Sequence, residues 1–122
     1  MPVAALLLSG VAVSLQASPY QLQGRVVGIA DGDTITLLDA DNRQHKIRLD
    51  GIDAPERGQP FGGASRRNLA SLSFGKEAQA ECHKADRYGR EVCRVLVGGN
   101  DLGLEQIRSG MAWYFKRYAG EL

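Results

Sequence analysis

Residues 25–49, RVVGIADGDTITLLDADNRQHKIRL, hold three short runs of strand-forming residues separated by two polar breaks. The run 25–30 is rich in β-branched residues, and Asp31-Gly32 after it is a turn signal. The run 34–38 alternates, with Ile35 and Leu37 on one face. After the polar turn 39–42, the run 44–49 alternates again. His45, Ile47 and Leu49 share one face, and Lys46 and Arg48 share the other. The pattern predicts three successive antiparallel strands.

Outward from there, 50–60 (DGIDAPERGQP) is rich in Gly, Pro and Asp and reads as loop. Residues 62–73 carry Ala64, Leu69 and Leu72 among polar residues, which predicts a modest helix. Residues 76–83 alternate as a strand with Ala78, Ala80 and Cys82 on one face, and 84–90 (KADRYGR) reads as a turn. A further strand is predicted over 91–97 and a helix over 102–111, with Leu104, Ile107 and Met111 at helical spacing. The remainder is aromatic: Trp113, Tyr114, Phe115 and Tyr118. The order is β-β-β-α-β-β-α. Mainly β with two helices, it matches a five-stranded Greek-key barrel of the OB type, with an open five-stranded sheet as the alternative.

The chain has 122 residues, enough for one domain. With 43% hydrophobic and 24% charged residues its composition is that of a globular protein. The net charge of +1 provides no broad basic field, so any phosphate binding must come from local arginine placement. Every charged side chain lies after Gly24. The uncharged start, with an apolar stretch over 4–15, is too short to cross a bilayer but fits the core of a signal peptide cleaved after Ala17, although it lacks a basic n-region. The expected organisation is a leader over 1–17 and one domain over 18–122, secreted or periplasmic. The alternative is a buried strand or a truncated leader.

Two cysteines, Cys82 and Cys93, flank the hairpin region 83–92. A symmetric hairpin sets them opposite each other at disulfide distance. A disulfide fits an exported chain, and two reduced, half-buried thiols fit an internal one.

Four elements bear on chemistry. Asp31-Gly32-Asp33-Thr34 reads either as a turn or as a metal carboxylate at a strand start. Arg48 reads as a surface arginine, as an ion pair with Asp50, or as a phosphate ligand. Asp53-Ala54-Pro55-Glu56 places two carboxylates in a loop stiffened by proline, a preorganised site or an ordinary acidic loop. Asp86-Arg87-Tyr88-Gly89-Arg90 reads as a hairpin turn, or as a turn that aims Arg90 and Tyr88 at a ligand. Together they supply what phosphodiester hydrolysis needs. Hard carboxylates suit Ca²⁺ or Mg²⁺, arginine forks bind phosphate oxygens in pairs, and a further carboxylate activates water. His45 and His83 are read as strand residues without catalytic partners.

These motifs resemble the staphylococcal nuclease-like, or thermonuclease, family. The resemblance runs from about Gly24 to Tyr118 on DGDT at 31–34, IRLDGIDAPE at 47–56, DRYGR at 86–90 and LEQIRSGMAW at 104–113. It implies an OB-type barrel with helices and a Ca²⁺-dependent nuclease acting on DNA and RNA, cleaving on the 5′-oxygen side of the phosphate. Asp33 and Asp53 match metal carboxylates, and Ala54 a position that gives a backbone carbonyl. Glu56 matches the general base, and Arg48 and Arg90 the phosphate-binding pair. Tyr88, with Tyr118 in the aromatic tail, would line the nucleotide site. The resemblance further implies one metal ion, Ca²⁺ before Mg²⁺, a nucleic-acid substrate, no membrane once processed, and a monomer without an obligate protein partner. Family members usually continue into a final helix beyond the aromatic segment. That helix is absent from these 122 residues, and its lack is expected to uncover part of the barrel. A non-catalytic nucleic-acid-binding domain of the same fold is the rival reading. It should have lost a carboxylate or an arginine, and every such position is filled here.

Overall fold

The computed structural model describes residues 19–115. The leader expected over 1–17 and Tyr118 lie outside the described residues. Five strands form the body: β1 (Tyr20–Asp31), β2 (Thr34–Leu38), β3 (Gln44–Leu49), and after β4 (Ile52–Asp53) and helix α1 (Gly62–Ser73), β5 (Glu77–Ala85) and β6 (Glu91–Val97). The short β7 (Asn100–Asp101) leads into α2 (Leu102–Arg108), and β8 (Trp113–Tyr114) follows.

The main sheet runs β3-β2-β1-β5-β6 with the two-residue β7 at its edge, and β3 pairs with β6 in parallel. That pairing closes the sheet into a five-stranded barrel of the OB type with two helices, as the sequence predicts. Closure requires one strand to serve both halves. β1 does so, pairing with β5 from Tyr20 to Arg25 and with β2 from Arg25 to Asp31. Register shifts at Val26/Gly28 and Ile29/Asp31 bend it around the barrel. At Gly24 the bend brings backbone onto backbone, because a Cβ there would collide with the Leu38 carbonyl.

Alternation fills the interior. Val26, Ile35, Leu37, Ile47, Leu49, Ala78, Ala80 and Val95 point inward, and Leu69 of α1 and Leu102 of α2 pack on the same core. Burying each large aliphatic side chain stabilises the fold by about 1.5–3 kcal/mol. Cys82 and Cys93 sit opposite each other on β5 and β6, both buried, and form a disulfide with a Cα separation of 4.0 Å.

Several boundaries differ from the sequence prediction. β1 begins five residues early because Tyr20 to Gly24 pair with β5, a long-range contact that local pattern does not carry. β5 extends past His83 to Ala85. α2 stops at Arg108 rather than Met111. Gly110 turns left-handed (φ 73), and the amides of Gly110 and Met111 bond back to Ile107 and Gln106 carbonyls, which ends the helix as a glycine C-cap does. The loop 50–60 and the aromatic segment each contribute two residues to a small antiparallel sheet, β4 with β8.

Candidate active site

The chemistry-bearing residues meet at one end of the barrel, where β2 begins, β3 ends and β6 begins. In the sheet Arg48 lies between Thr34 of β2 and Val92 of β6. The Leu49 amide donates to the Asp33 carbonyl at 2.8 Å, fastening the DGDT turn to β3. The loop after β3 folds back over the strand end. It buries Arg48 to 7% exposure, so this arginine is no surface residue. Nor does it pair with Asp50, which meets His83 instead at 2.9 Å.

Arg48 is held at one nitrogen. Its Nη1 donates to the carbonyls of Leu49 (2.8 Å) and Ile52 (2.7 Å). Its Nη2 stands 3.5 Å from Asp33 Oδ2 and 3.5 Å from Asp53 Oδ1, longer than a good charge-assisted hydrogen bond. Two carboxylates thus converge on one guanidinium without closing on it. Burial pushes the Asp33 carboxyl pKa above its ordinary value, the neighbouring Asp53 and Asp31 charges add to the rise, and Arg48 and the Thr34 hydroxyl oppose it. Burial therefore disfavours the ionised form of Asp33, and a further cation beside it would favour that form.

Arg90 reaches the same end from the β5–β6 turn. Asp86 organises that turn: its Oδ1 accepts from the amides of Tyr88 and Arg90, each at 2.9 Å, and its Oδ2 accepts from Arg90 Nε at 2.7 Å. Burial works against the ionised Asp86, but these bonds win and hold its pKa below the usual value. Gly89 takes φ 81, which closes the turn. Arg90 Nη1 then lies 3.4 Å from Thr34 Oγ1, which itself donates to Asp33 Oδ1 at 2.9 Å. Tyr88 is exposed, with the guanidiniums of Arg87 and Arg90 5.3 and 5.5 Å from its ring centre.

Glu56 is exposed on the loop that leads to α1. Its backbone is fixed on both sides: its amide donates to Gln59 Oε1 at 2.7 Å and its carbonyl accepts from the Gln59 amide at 2.9 Å. At Gly62 a Cβ would strike that same Glu56 carbonyl. Ala54 is buried beside Asp53, whose Oδ1 takes the Ala54 amide at 3.0 Å.

Asp33 and Asp53 each bring a carboxylate oxygen within 3.5 Å of Arg48 Nη2, and hard oxygens of this kind suit a divalent ion such as Ca²⁺ or Mg²⁺. Among the described residues no group of three or more Asp, Glu, His or Cys gathers around a common point. The remaining ligands of such an ion would be carbonyl oxygen and water.

Three residues act here to which the motifs assign no individual role. Thr34 bridges Asp33 and Arg90, and Asp86 sets Arg90. Gln106, fully buried, donates from Nε2 to the Gly32 carbonyl at 2.8 Å and to the Ser65 carbonyl at 3.1 Å, pinning the DGDT turn to both helices. Its signal was its place four residues after Leu102, in the buried row of α2. Both histidines lie in strands. His45 meets Asp39 and Glu91 at 2.8 and 2.7 Å, at the opposite end of β3 from Arg48.

Comparison with known proteins follows the same residues. Positions 46–121 match the family model described as staphylococcal nuclease homologue. An uncharacterized endonuclease of Haemophilus influenzae is 41% identical over 95 residues, which cover 78% of this chain and 53% of that protein. A micrococcal nuclease of Shigella flexneri is 42% identical over 106 residues, covering 79% of this chain and 60% of its own length. An uncharacterized endonuclease of Escherichia coli O157:H7 is 38% identical over 98 residues, covering 80% and 63%. The chain thus spans between about half and two thirds of the length of these relatives. With the barrel, the motif positions and the identity in agreement, the chain belongs to the staphylococcal nuclease homologue family.

Proposed function

We propose that this protein is a metal-dependent nuclease that hydrolyses phosphodiester bonds of DNA and RNA. The observation that carries the reading is the unclosed arrangement of Asp33 and Asp53 around Arg48 Nη2, with Arg90 tied to the same place through Thr34. Two arginines and two carboxylates that served stability alone would close into short ion pairs. Here Arg48 Nη2 makes no contact with a carboxylate shorter than 3.5 Å, so it keeps hydrogen-bonding capacity for a phosphate oxygen. The relatives named as nucleases support the activity.

Asp33, Asp53 and the Ala54 carbonyl are the proposed ligands of one Ca²⁺, with Mg²⁺ second. When bound, the ion supplies Lewis-acid polarisation of a phosphoryl oxygen. Arg48, already fixed by two carbonyls, presents Nη2 to a non-bridging oxygen without reorganising. Arg90 presents its fork from the other side, held by Asp86. Both stabilise charge that grows as a water oxygen bonds to phosphorus and the bond to the leaving oxygen breaks. Glu56 accepts the proton of that water, and the stiff 56–62 loop keeps its backbone in place. Tyr88 stands beside Arg90 at the mouth. Export through the leader over 1–17 is part of the proposal, and the disulfide is consistent with an oxidising compartment.

The test is to incubate the purified chain with plasmid DNA and with RNA, adding Ca²⁺, Mg²⁺ or chelator. Cleavage that requires the ion is expected. A folded protein that binds nucleic acid but cuts neither substrate under any condition would establish the rival binding module.

A further inference from the structure

The small sheet of β4 and β8 places one large side chain where no chemistry has yet been assigned. Asp53 is the cross-strand partner of Trp113, and Ile52 of Tyr114. The Phe115 amide donates to the Gly51 carbonyl at 2.9 Å, so Gly51 and Phe115 are a hydrogen-bonded pair. Two residues along, Asp53 and Trp113 form the next such pair, with Cα atoms about 5.5 Å apart. Directly opposed side chains share a face. The indole therefore rises beside the Asp53 carboxylate, which itself lies 3.5 Å from Arg48. Alternation sends Tyr114 to the other face with Ile52, where the tyrosine stays exposed.

Trp113 is 52% exposed. Its ring combines a large apolar area with a π-face that can stack. The proposed site binds phosphate by charge, yet a polynucleotide presents a base beside each phosphate. Of the exposed aromatics described, Tyr88 already has two guanidiniums close to its ring, and Trp113 alone is the cross-strand partner of Asp53. Trp113 has an open aromatic surface next to the phosphate-binding set.

We infer that Trp113 is a stacking platform for one nucleobase of a single-stranded nucleic acid whose phosphate lies at Arg48 and Arg90. The inference rests on the nuclease reading. Stacking on an aromatic ring tolerates every base and demands an unstacked one, so this platform favours single strands over duplex without reading sequence. It also orients the strand relative to Asp53, since ring and carboxylate stand on one short ladder.

The chain contains a single tryptophan, so its emission reports from this position alone. The full chain carrying Glu56→Gln, to suppress cleavage, is titrated with Ca²⁺ and a labelled oligothymidylate. Indole emission and label anisotropy are read together. Saturable quenching that tracks the anisotropy is expected. Trp113→Ala in the same background should weaken binding roughly 10-fold, and Trp113→Phe should restore most of it. An oligonucleotide abasic throughout should bind both proteins equally and leave the emission unchanged. Normal anisotropy with silent emission, or equal binding by Trp113→Ala, overturns the platform and leaves the nuclease reading standing. Absence of any oligonucleotide binding, together with no cleavage by the unsubstituted chain, overturns both.

Discussion

The two ends of β3 carry the same kind of residues and treat them in opposite ways. At one end the His45 ring lies between Asp39 and Glu91, at 2.8 and 2.7 Å, and Tyr20 donates to the other Glu91 oxygen at 2.6 Å. At the other, Arg48 faces Asp33 and Asp53 at 3.5 Å from each. In both, one cationic group meets two carboxylates. The His45 end is closed: each ring nitrogen points at an acceptor, which only the doubly protonated ring satisfies as donor twice. Accordingly the hydrogen bond that His45 donates to Asp39 leads both in raising the His45 pKa and in lowering that of Asp39. The Arg48 end is open, and its buried carboxylate is raised by desolvation. Short contacts with mutually favourable shifts mark a clasp. Long contacts with a penalised anion mark the end where the proposed phosphate and metal ion would bind.

The contrast breaks most easily at the open end. Glu56→Gln and Arg90→Ala should each lower nuclease activity by about 10²-fold or more, the scale of losing a general base or a transition-state donor. Their melting temperatures should stay close to that of the parent chain. Activity within a few-fold of the parent would remove that residue from its role. Asp33→Asn sharpens the point. Its activity should fall by at least roughly 10-fold, because a metal carboxylate is gone. Its stability at neutral pH should hold or rise, because a group whose folded pKa is raised destabilises the fold once pH climbs past that pKa. A marked drop in melting temperature would show Asp33 to be structural.

The closed end should answer in the opposite way. His45 has its folded pKa raised, so its stabilisation is complete below the unfolded value of about 6.5 and is lost as pH rises through the folded value. His45→Gln should therefore melt a few degrees lower than the parent at pH 6, with the gap narrowing at alkaline pH and activity at pH 6 nearly unchanged. A gap independent of pH would mean that packing, not charge, holds the clasp. The smallest effect is expected for Thr34→Val, which deletes the hydroxyl between Asp33 and Arg90. Activity should drop only a few-fold, since the Arg90–Thr34 contact is 3.4 Å long and Asp86 holds the arginine independently.

What could be read from the residues alone follows from which interactions are local. β2, β3, β6 and α1 are bounded by turns and alternation within a few residues, and they appear where pattern puts them. The five-residue extension of β1 depends on β5, more than fifty residues away, and alternation does not record such pairing. In the site, Asp33, Arg48, Asp53, Glu56 and Arg90 stand out because their types suit phosphate chemistry in a known order. Gln106 and Asp86 do not. Their work is to hold a turn and the side chain it carries, and a polar residue in a turn or on a helix does that in many sequences. The burial of Arg48 is not legible for a related reason: strict alternation puts it on the outer face, and only the returning loop covers it.

The disulfide has a consequence for the order of events in making this protein. Cys82 and Cys93 are 1% and 0% exposed. Exchange requires a thiolate to reach one of the sulfurs, and the closed barrel admits none. A reductant must therefore wait for β5 and β6 to part, so the rate of bond loss in excess thiol becomes a clock for opening of the native barrel. The same barrier acts in reverse. A chain that closed with both thiols reduced would shelter them from oxidants, so the bond has to form before or while the barrel shuts.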